Sequence, residues 1–538
     1  MRQSFHVFTH TKPFFRDIIS NDYRRLLKCI VFTLFFLAAS SIRAFSQPLT
    51  STTSVNTFNK ETYYNVLTTA LTFLQPRSLE EHTIQRLCMW GLNGINALDP
   101  SFTLKVAENK LYLFRAQKLI YSAELPSSKN DIQQWVQFIL DFWFQAWNNS
   151  PDIKTGDNQN LIQAFFDELF DHLDPYSRYV APASADSDRS FRDGGEANVG
   201  ITLTKHGKYT LINTINTNSP AWEAGIDVGQ YLFKVDDKTT FDQPLNTINH
   251  WLEGPENTYV ILTWGHKNSK KTHTAKIKRE LIPPATVFAF SSDDIVILKI
   301  TLFSTTTAEE MSQYLDQAMQ EINIKGLIID LRGNRGGVLQ QAVTSIALLL
   351  DNGIAVTTQG RNPEANHVWV VQGGDLIKGA PIVILVDGRT ASAAEILAAS
   401  LSDHRRAVVV GSVTLGKGLV QTIAQLPDNG ELFVTWSRVI APLGWPLQGL
   451  GVIPQICTSR GNAFVQKQLK NLGTHTSNYE TIISLSRKTR LPLSSKTITL
   501  LRNSCPAAVG TDNDLDIAIK LILDQNLYTQ ALKLIPAE

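Results

Sequence analysis

Cysteine is scarce in this chain: four residues in 538, with no CxxC pair and no Cys/His spacing of the kind that holds a structural metal. Metal-stapled and disulfide-dense folds are set aside on that count, and no metal or other cofactor is expected. Charge is sparse too. Charged residues make up 18% of the chain and the formal net charge is +1. Even that small excess sits at the N-terminus, where residues 1–46 hold seven Lys/Arg against two Asp, leaving 43 basic and 47 acidic residues beyond. A body with a slightly acidic balance and no basic stripe is not expected to bind nucleic acid. Long apolar runs are also missing near the N-terminus, because the run from Cys29 to Ala39 is about half of the roughly twenty residues that span a bilayer.

What is present is a chain with 43% apolar residues, long enough for roughly three domains. A basic stretch ending in Arg24, Arg25 and Lys28 precedes the short apolar run, and small residues follow it. This is the three-part pattern of a secretory signal over 1–46, cleaved after Ala44 or Ser46, and it implies an exported protein of the periplasm or cell envelope, or a secreted one. An uncleaved interfacial anchor is the other reading of the same residues. The region 47–190 reads as helical: in DIQQWVQFILDFWFQAW, Trp135, Phe138, Ile139 and Phe142 fall on one helix face. Two of its helix patterns end alike, in Leu98-Asp-Pro and Leu173-Asp-Pro, by duplication or by coincidence of a common helix end.

From 195 to 282 the period switches to two, with short strands such as VGITLT, YTLINTI and TYVILTW around helix-like AWEAG and LNTINHWL. Over 285–457 strand and helix alternate: IVILKI, AEEMSQYLDQAMQEI, GLIIDL, VLQQAVTSIALLL, IVILV, SAAEILAASLS and AVVVG. Such alternation predicts βαβ crossovers and a largely parallel sheet. The tail, 458–538, returns to helix-like pieces. Cys457 and Cys505 flank part of it, as a disulfide in an oxidising compartment or as two buried thiols.

Three loops at strand ends of the alternating region carry the chemistry. In Asp330-Leu-Arg-Gly-Asn-Arg-Gly-Gly337 the glycine spacing fits neither GxGxxG nor GxxxxGK[ST], and a tight turn is the plain reading. In RTASAAEI, Ser392 with Glu395 three residues on is a helix-capping box. The same helix start suits a nucleophile, because the N–H of Ala393 beside it, with a Gly336 or Gly337 N–H, would hold an oxyanion. A base is then needed. His404 follows the helix some three turns later, roughly 18 Å away at about 1.5 Å per residue. Lys417, between two glycines in GKGLVQ, is a solvated turn residue by default. As a base near pH 7 it would have to titrate about 3.4 units below free lysine, a shift that burial can supply. Gln421 would orient the neutral amine without adding a charge that retains the proton.

These residues carry a family resemblance. The chain is similar to the carboxyl-terminal processing peptidases, also called tail-specific proteases, which use a Ser/Lys dyad. The TASAxE serine and GKG lysine of that family lie twenty-five positions apart, as Ser392 and Lys417 do, and its glutamine falls on Gln421. LIIDLRGNRGG, PLQGLGVIPQI (446–456) and HLDPYSRYV match further family segments.

The resemblance implies a multidomain α/β protein with a ClpP/crotonase-like βαβ protease core, an inserted PDZ β-domain and flanking helical regions. It implies a serine endopeptidase that cleaves proteins near their C-termini, with Ser392, Lys417 and Gln421 catalytic and Gly336, Gly337 and Ala393 at the oxyanion hole. Asn198, Val199, Gly200 and Ile201 would bind a peptide C-terminus. The expected partners are protein or peptide substrates with apolar C-termini, with an adaptor or homo-oligomer left open. The competing class is a catalytically inactive PDZ-containing scaffold. Ala394 and Arg335 depart from the family pattern, Asp403 is read as structural, and Glu395 is placed outside the catalytic set.

Overall fold

Runs such as Ile382–Val386 and Ala407–Gly411 carry branched apolar residues at consecutive positions, the signature of strands covered on both faces. The computed structural model describes residues 6–7, 57–192, 197–216, 219–267, 269, 271–282, 285–472 and 478–537. In it these runs lie in a central seven-stranded sheet. Val287–Ser292 and Ile295–Ile300 form an antiparallel pair, and Gly326–Asp330, Ile382–Val386, Ala407–Gly411 and Ile456–Cys457 continue the sheet in parallel. His6–Val7 pairs at the outer edge. Cleavage after Ala44 or Ser46 would remove that short strand. The rest of the segment read as an export signal lies outside the described residues.

Each face of the sheet has its own cover. On one face, the crossover helices Thr307–Glu321, Leu339–Ala347 and Ala393–Asp403 pack with Val296, Leu298, Ile384 and Val409. On the other, Ile328, Val383 and Val410 meet Val465, Ile517, Leu521 and Tyr528 from the tail helices Asn462–Asn471, Asp512–Leu523 and Gln525–Leu532. The C-terminal tail is thus half of the core's cover. A disulfide joins Cys457 at the sheet edge to Cys505 in the tail, 48 residues on, a loop length worth about 4 kcal/mol on the chain-entropy estimate.

A second sheet went unread in the sequence. Asn352–Gln359, His367–Gln372, Leu419–Gln425 and Glu431–Ile440 form it antiparallel, and Arg178–Val180 from the N-terminal region pairs with Glu431–Phe433. That region holds the helices Lys60–Arg77, Ile84–Leu92, Ile132–Asn149 and Asn158–Asp171. Trp135, Phe138, Ile139 and Phe142 are buried in it. It is not purely helical: Phe102–Ala107, Lys110–Arg115 and Lys118–Glu124 form a three-stranded meander, a departure from the helical expectation over 47–190. Alternation such as KLYLFR is visible there, with Leu111 and Leu113 inward. The N-terminal core also takes in Leu432 and Val434 of the second sheet and Leu426 of the turn between its last two strands, so the two are one packed unit.

The small β-domain has strands Ile201–His206, Tyr209–Ile215, Tyr231–Val235, Tyr259–Gly265 and Thr272–Lys278 around a separate core of Val199, Ile212, Leu232, Ile248 and Val260. Ile201–His206 is an edge strand, and helix Leu245–Leu252 contacts it.

Asp403 shows how the tail is locked on. Its carboxylate is fully buried, 3.0 Å from Nε of the equally buried Arg487, and accepts from Trp445 Nε1 at 2.8 Å and from the Leu443 N–H at 3.2 Å. The Arg487 guanidinium lies 4.7 Å from the Trp445 ring centroid. A buried charge stripped of its partner is strongly destabilising, so Arg487→Met should lower unfolding stability by about 3–5 kcal/mol in urea titration. A loss below about 1 kcal/mol, the range of exposed pairs, would show that the pair does not hold the tail.

Candidate active site

The three loops singled out in the sequence follow three adjacent parallel strands. Asp330–Gly337 leaves Gly326–Asp330, the Ser392 loop leaves Ile382–Val386, and the Lys417 loop leaves Ala407–Gly411. The carboxyl ends of neighbouring parallel strands are where α/β sheets place their ligands. Hydrogen bonds tie the loops together there. The Ala391 N–H donates to Asn334 O at 2.9 Å, the Thr390 hydroxyl to Leu331 O at 2.9 Å, and the Leu415 N–H to Thr390 O at 2.9 Å.

Ser392 is half-buried at the N-cap of helix Ala393–Asp403 in a capping box with Glu395. Its φ of +57° is a left-handed conformation that costs a non-glycine residue about 1–3 kcal/mol, and surrounding contacts must maintain it. One is its own N–H, which donates to Glu395 Oε2 at 2.8 Å. Another is the backbone of Gly336: a Cβ there would come within 2.7 Å of Ser392 Cβ and 2.8 Å of Ala391 O, so glycine is required.

Glu395 does more than cap. Fully buried, it also accepts from the N–H groups of Gly416 at 2.7 Å and Lys417 at 2.9 Å, and from the Thr414 hydroxyl. One carboxylate thereby fixes the serine loop against the lysine loop. Burial raises its proton affinity, and the four donors pull the other way. Placing Glu395 outside the site was therefore too narrow, since the S-x-x-E pattern that marks the cap also marks this tie.

Lys417 is half-buried, and burial followed by the nearby charge of Arg178 lowers its pKa below the ordinary lysine value, with Glu395 opposing. Its Nζ lies 5.0 Å from the centroid of the Tyr176 ring. No hydrogen bond joins Lys417 Nζ to Ser392 Oγ in this structure. Gly418 packs so closely that a Cβ would lie 2.3 Å from Gln448 N, and its own N–H donates to Gln448 Oε1 at 2.8 Å.

Three sequence expectations need correction, two at this site and one in the β-domain. The Gln421 amide donates to Leu419 O at 3.2 Å and Thr435 Oγ1 at 3.1 Å, so it is engaged away from the lysine it was expected to orient. The Gly336 N–H donates to Asn334 Oδ1 at 2.8 Å, so it is engaged away from the oxyanion position expected of it. His404 sits at the far end of the helix with Nε2 2.8 Å from Ile354 O. In the β-domain, the Asn198 N–H is taken by Glu280 O at 2.9 Å and the Gly200 N–H by Asn198 Oδ1 at 2.8 Å, which removes both as carboxylate donors here. The residues the sequence reading missed are Tyr176, Thr435 and Gln448, while Glu395 was read as a cap only. Tyr176 stood within HLDPYSRYV, whose position beside the site only the fold reveals.

Residues 294–458 match peptidase family S41. The carboxy-terminal-processing protease of Bartonella bacilliformis is 33% identical over 307 residues, which cover 56% of this chain and 71% of that protein. Probable CtpA-like serine proteases of Staphylococcus haemolyticus and Staphylococcus aureus are 29% and 30% identical over 320 and 314 residues. Those matches cover 59% and 57% of this chain but less than two thirds of the staphylococcal proteins, 63% and 62%. Among solved structures, the photosystem II D1 C-terminal processing protease is 22% identical with a TM-score of 0.36, covering 68% of this chain and 92% of that one.

Glu395→Ala would leave three backbone donors and a hydroxyl unpaired in a buried site. We expect a loss of about 2–4 kcal/mol in unfolding stability and a fall of about a hundredfold in peptidase kcat/KM from the displaced loops. Glu395→Gln should fall between this variant and the unaltered protein. Unchanged kcat/KM in the alanine variant would remove Glu395 from the site.

Proposed function

Because the chain belongs to the carboxy-terminal-processing proteases of peptidase family S41, and is on that ground a serine-type peptidase, we propose that it cleaves proteins near their C-termini with Ser392 as nucleophile and Lys417 as base. The observation that carries this reading is the Glu395 bridge, which holds the strained serine and a half-buried, pKa-depressed lysine on neighbouring loops. Ser392 Oγ attacks the peptide carbonyl, its proton passes to neutral Lys417 and on to the leaving amine, and water releases the acyl-enzyme. The N–H groups of Gly337 and Ala393 would face the oxyanion. The exposed apolar side chains Leu415 and Val338 flank these loops and suit an apolar substrate segment.

The β-domain would act as a PDZ module. Its edge strand Ile201–His206 beside helix Leu245–Leu252 suits addition of a substrate's C-terminal strand. Export would fit the Cys457–Cys505 disulfide, which an oxidising compartment favours. No helix among the described residues is long and apolar enough to cross a membrane. One observation favours the alternative of an inactive scaffold: Ser392 and Lys417 are not hydrogen-bonded in this structure.

An unstructured protein with an apolar C-terminus separates the two. The full chain should cleave it, Ser392→Ala and Lys417→Ala should lose at least about a thousandfold in kcat while still binding it, and a charged C-terminus should raise KM. Binding without cleavage by the unaltered chain would establish the scaffold. The rate should also fall on acidification, as Lys417 gains its proton. A profile flat down to about pH 5, where a lysine would be fully charged, would exclude Lys417 as the titrating base.

A further inference from the structure

A lysine that serves as base must be held as well as deprotonated, because its four-carbon stem is flexible and its rotamer freedom works against any one placement. In this structure neither Ser392 nor Gln421 holds the Lys417 amine, and no carboxylate forms an ion pair with it among the described residues. What stands against it is the ring of Tyr176, 5.0 Å away. We infer that Tyr176, a residue of the N-terminal region, is a positioning residue for Lys417, and that the N-terminal region thereby completes the protease site. The inference rests on the Ser/Lys reading given above.

The turn that carries Tyr176 is built to be rigid. Asp174 Oδ1 accepts the N–H groups of Tyr176 and Ser177, both at 3.0 Å, and the Ser177 hydroxyl donates to Asp174 Oδ2 at 2.5 Å. The turn is then pinned to strand Glu431–Ile440. The Thr435 N–H donates to Ser177 Oγ at 3.0 Å, and the Thr435 hydroxyl to Asp174 Oδ1 at 2.6 Å. Thr435 Oγ1 in turn accepts the Gln421 amide, so the glutamine expected to orient the lysine directly is coupled to the turn that bears the ring.

The loop that carries the lysine is pinned in its turn, since Gln448 Oε1 accepts the Gly418 N–H at 2.8 Å. The charged groups that act on Lys417 are Arg178, at the start of the strand that follows this turn, and Glu395, whose carboxylate accepts the Lys417 N–H; the ring lies among them as an uncharged face that attracts the amine when protonated and shields it from water. Leucine in place of the ring would keep the shielding and lose the attraction. An aromatic replacement would keep both.

Kinetics on the unstructured protein substrate test this in the full chain, with Tyr176→Phe, Tyr176→Leu and Tyr176→Met beside Ser392→Ala and Lys417→Ala. The phenylalanine variant should keep kcat within about twofold. The leucine variant should lose about tenfold or more in kcat at unchanged KM, as expected for a misplaced catalytic group. Its acid limb should move to lower pH by about half a unit, since the ring favours the charged amine. Tyr176→Met decides the same question should the leucine variant fold poorly. Full or raised kcat in both aliphatic variants, a loss with the acid limb unmoved, or an equal loss in Tyr176→Phe would overturn the inference. Cleavage that survives in Ser392→Ala or Lys417→Ala defeats the dyad instead, and is read separately.

Discussion

The Glu395 carboxylate is the contact on which the rest of the site depends. It takes the N–H of Ser392 from the start of one helix and the N–H groups of Gly416 and Lys417 from the next loop, with the Thr414 hydroxyl completing its shell. A buried carboxylate is tolerated only when its lone pairs are filled by donors held in place. The same donors lie on the two loops that must be aligned for chemistry, so satisfying the charge and setting the geometry are one constraint. The left-handed Ser392 backbone, which would otherwise relax, is kept in place by this bond and by the close approach of Gly336.

The layers around the site follow from that constraint. Three parallel strands end side by side and deliver the loops, while the tail helices cover the far face and clamp them from behind. Arg502, in the tail helix Ser495–Asn503, donates to Thr414 O at 3.0 Å and Leu450 O at 3.0 Å, next to the Glu395 cluster. The second sheet and the N-terminal region close the front, with Tyr176 over the lysine and Thr435 between Gln421 and Asp174. Among the described residues, the central sheet, the tail helices, the second sheet and the N-terminal region from Asn59 onward thus pack together around two loops.

Four strands of the central sheet were legible because they are continuous apolar runs separated by amphipathic helices, whereas Val287–Ser292, Ile456–Cys457 and His6–Val7 were not read as strands. Ile295–Ile300, and in the β-domain Leu245–Leu252, coincide with the stretches read as strand and helix, since nothing in their surroundings overrides the local pattern. The second sheet was not legible. Leu419–Gln425 mixes buried, partly buried and exposed positions without clean alternation, because one end forms the site and the other packs on the N-terminal region. Ser392 and Lys417 read locally as a helix cap and a solvated turn residue, and stood out only through their resemblance to the family's serine and lysine motifs. The hydrogen-bond partners of Gln421 and Gly336 did not, because they are set by Thr435 and Asn334, which no local rule links to them. Tyr176 lay beyond reach for the same reason: 241 positions of sequence separate it from Lys417, and only the folded N-terminal region brings it there.

The most direct measurement of the central claim is covalent labelling with a fluorophosphonate, the adduct located by mass spectrometry and its rate followed against pH. The account predicts a single adduct on Ser392, formed at a rate that rises through a pH midpoint well below that of free lysine. It also predicts that labelling is abolished in Lys417→Ala and slowed when Glu395 is replaced. An adduct on another serine, or labelling of Ser392 that proceeds unchanged without Lys417, would contradict it.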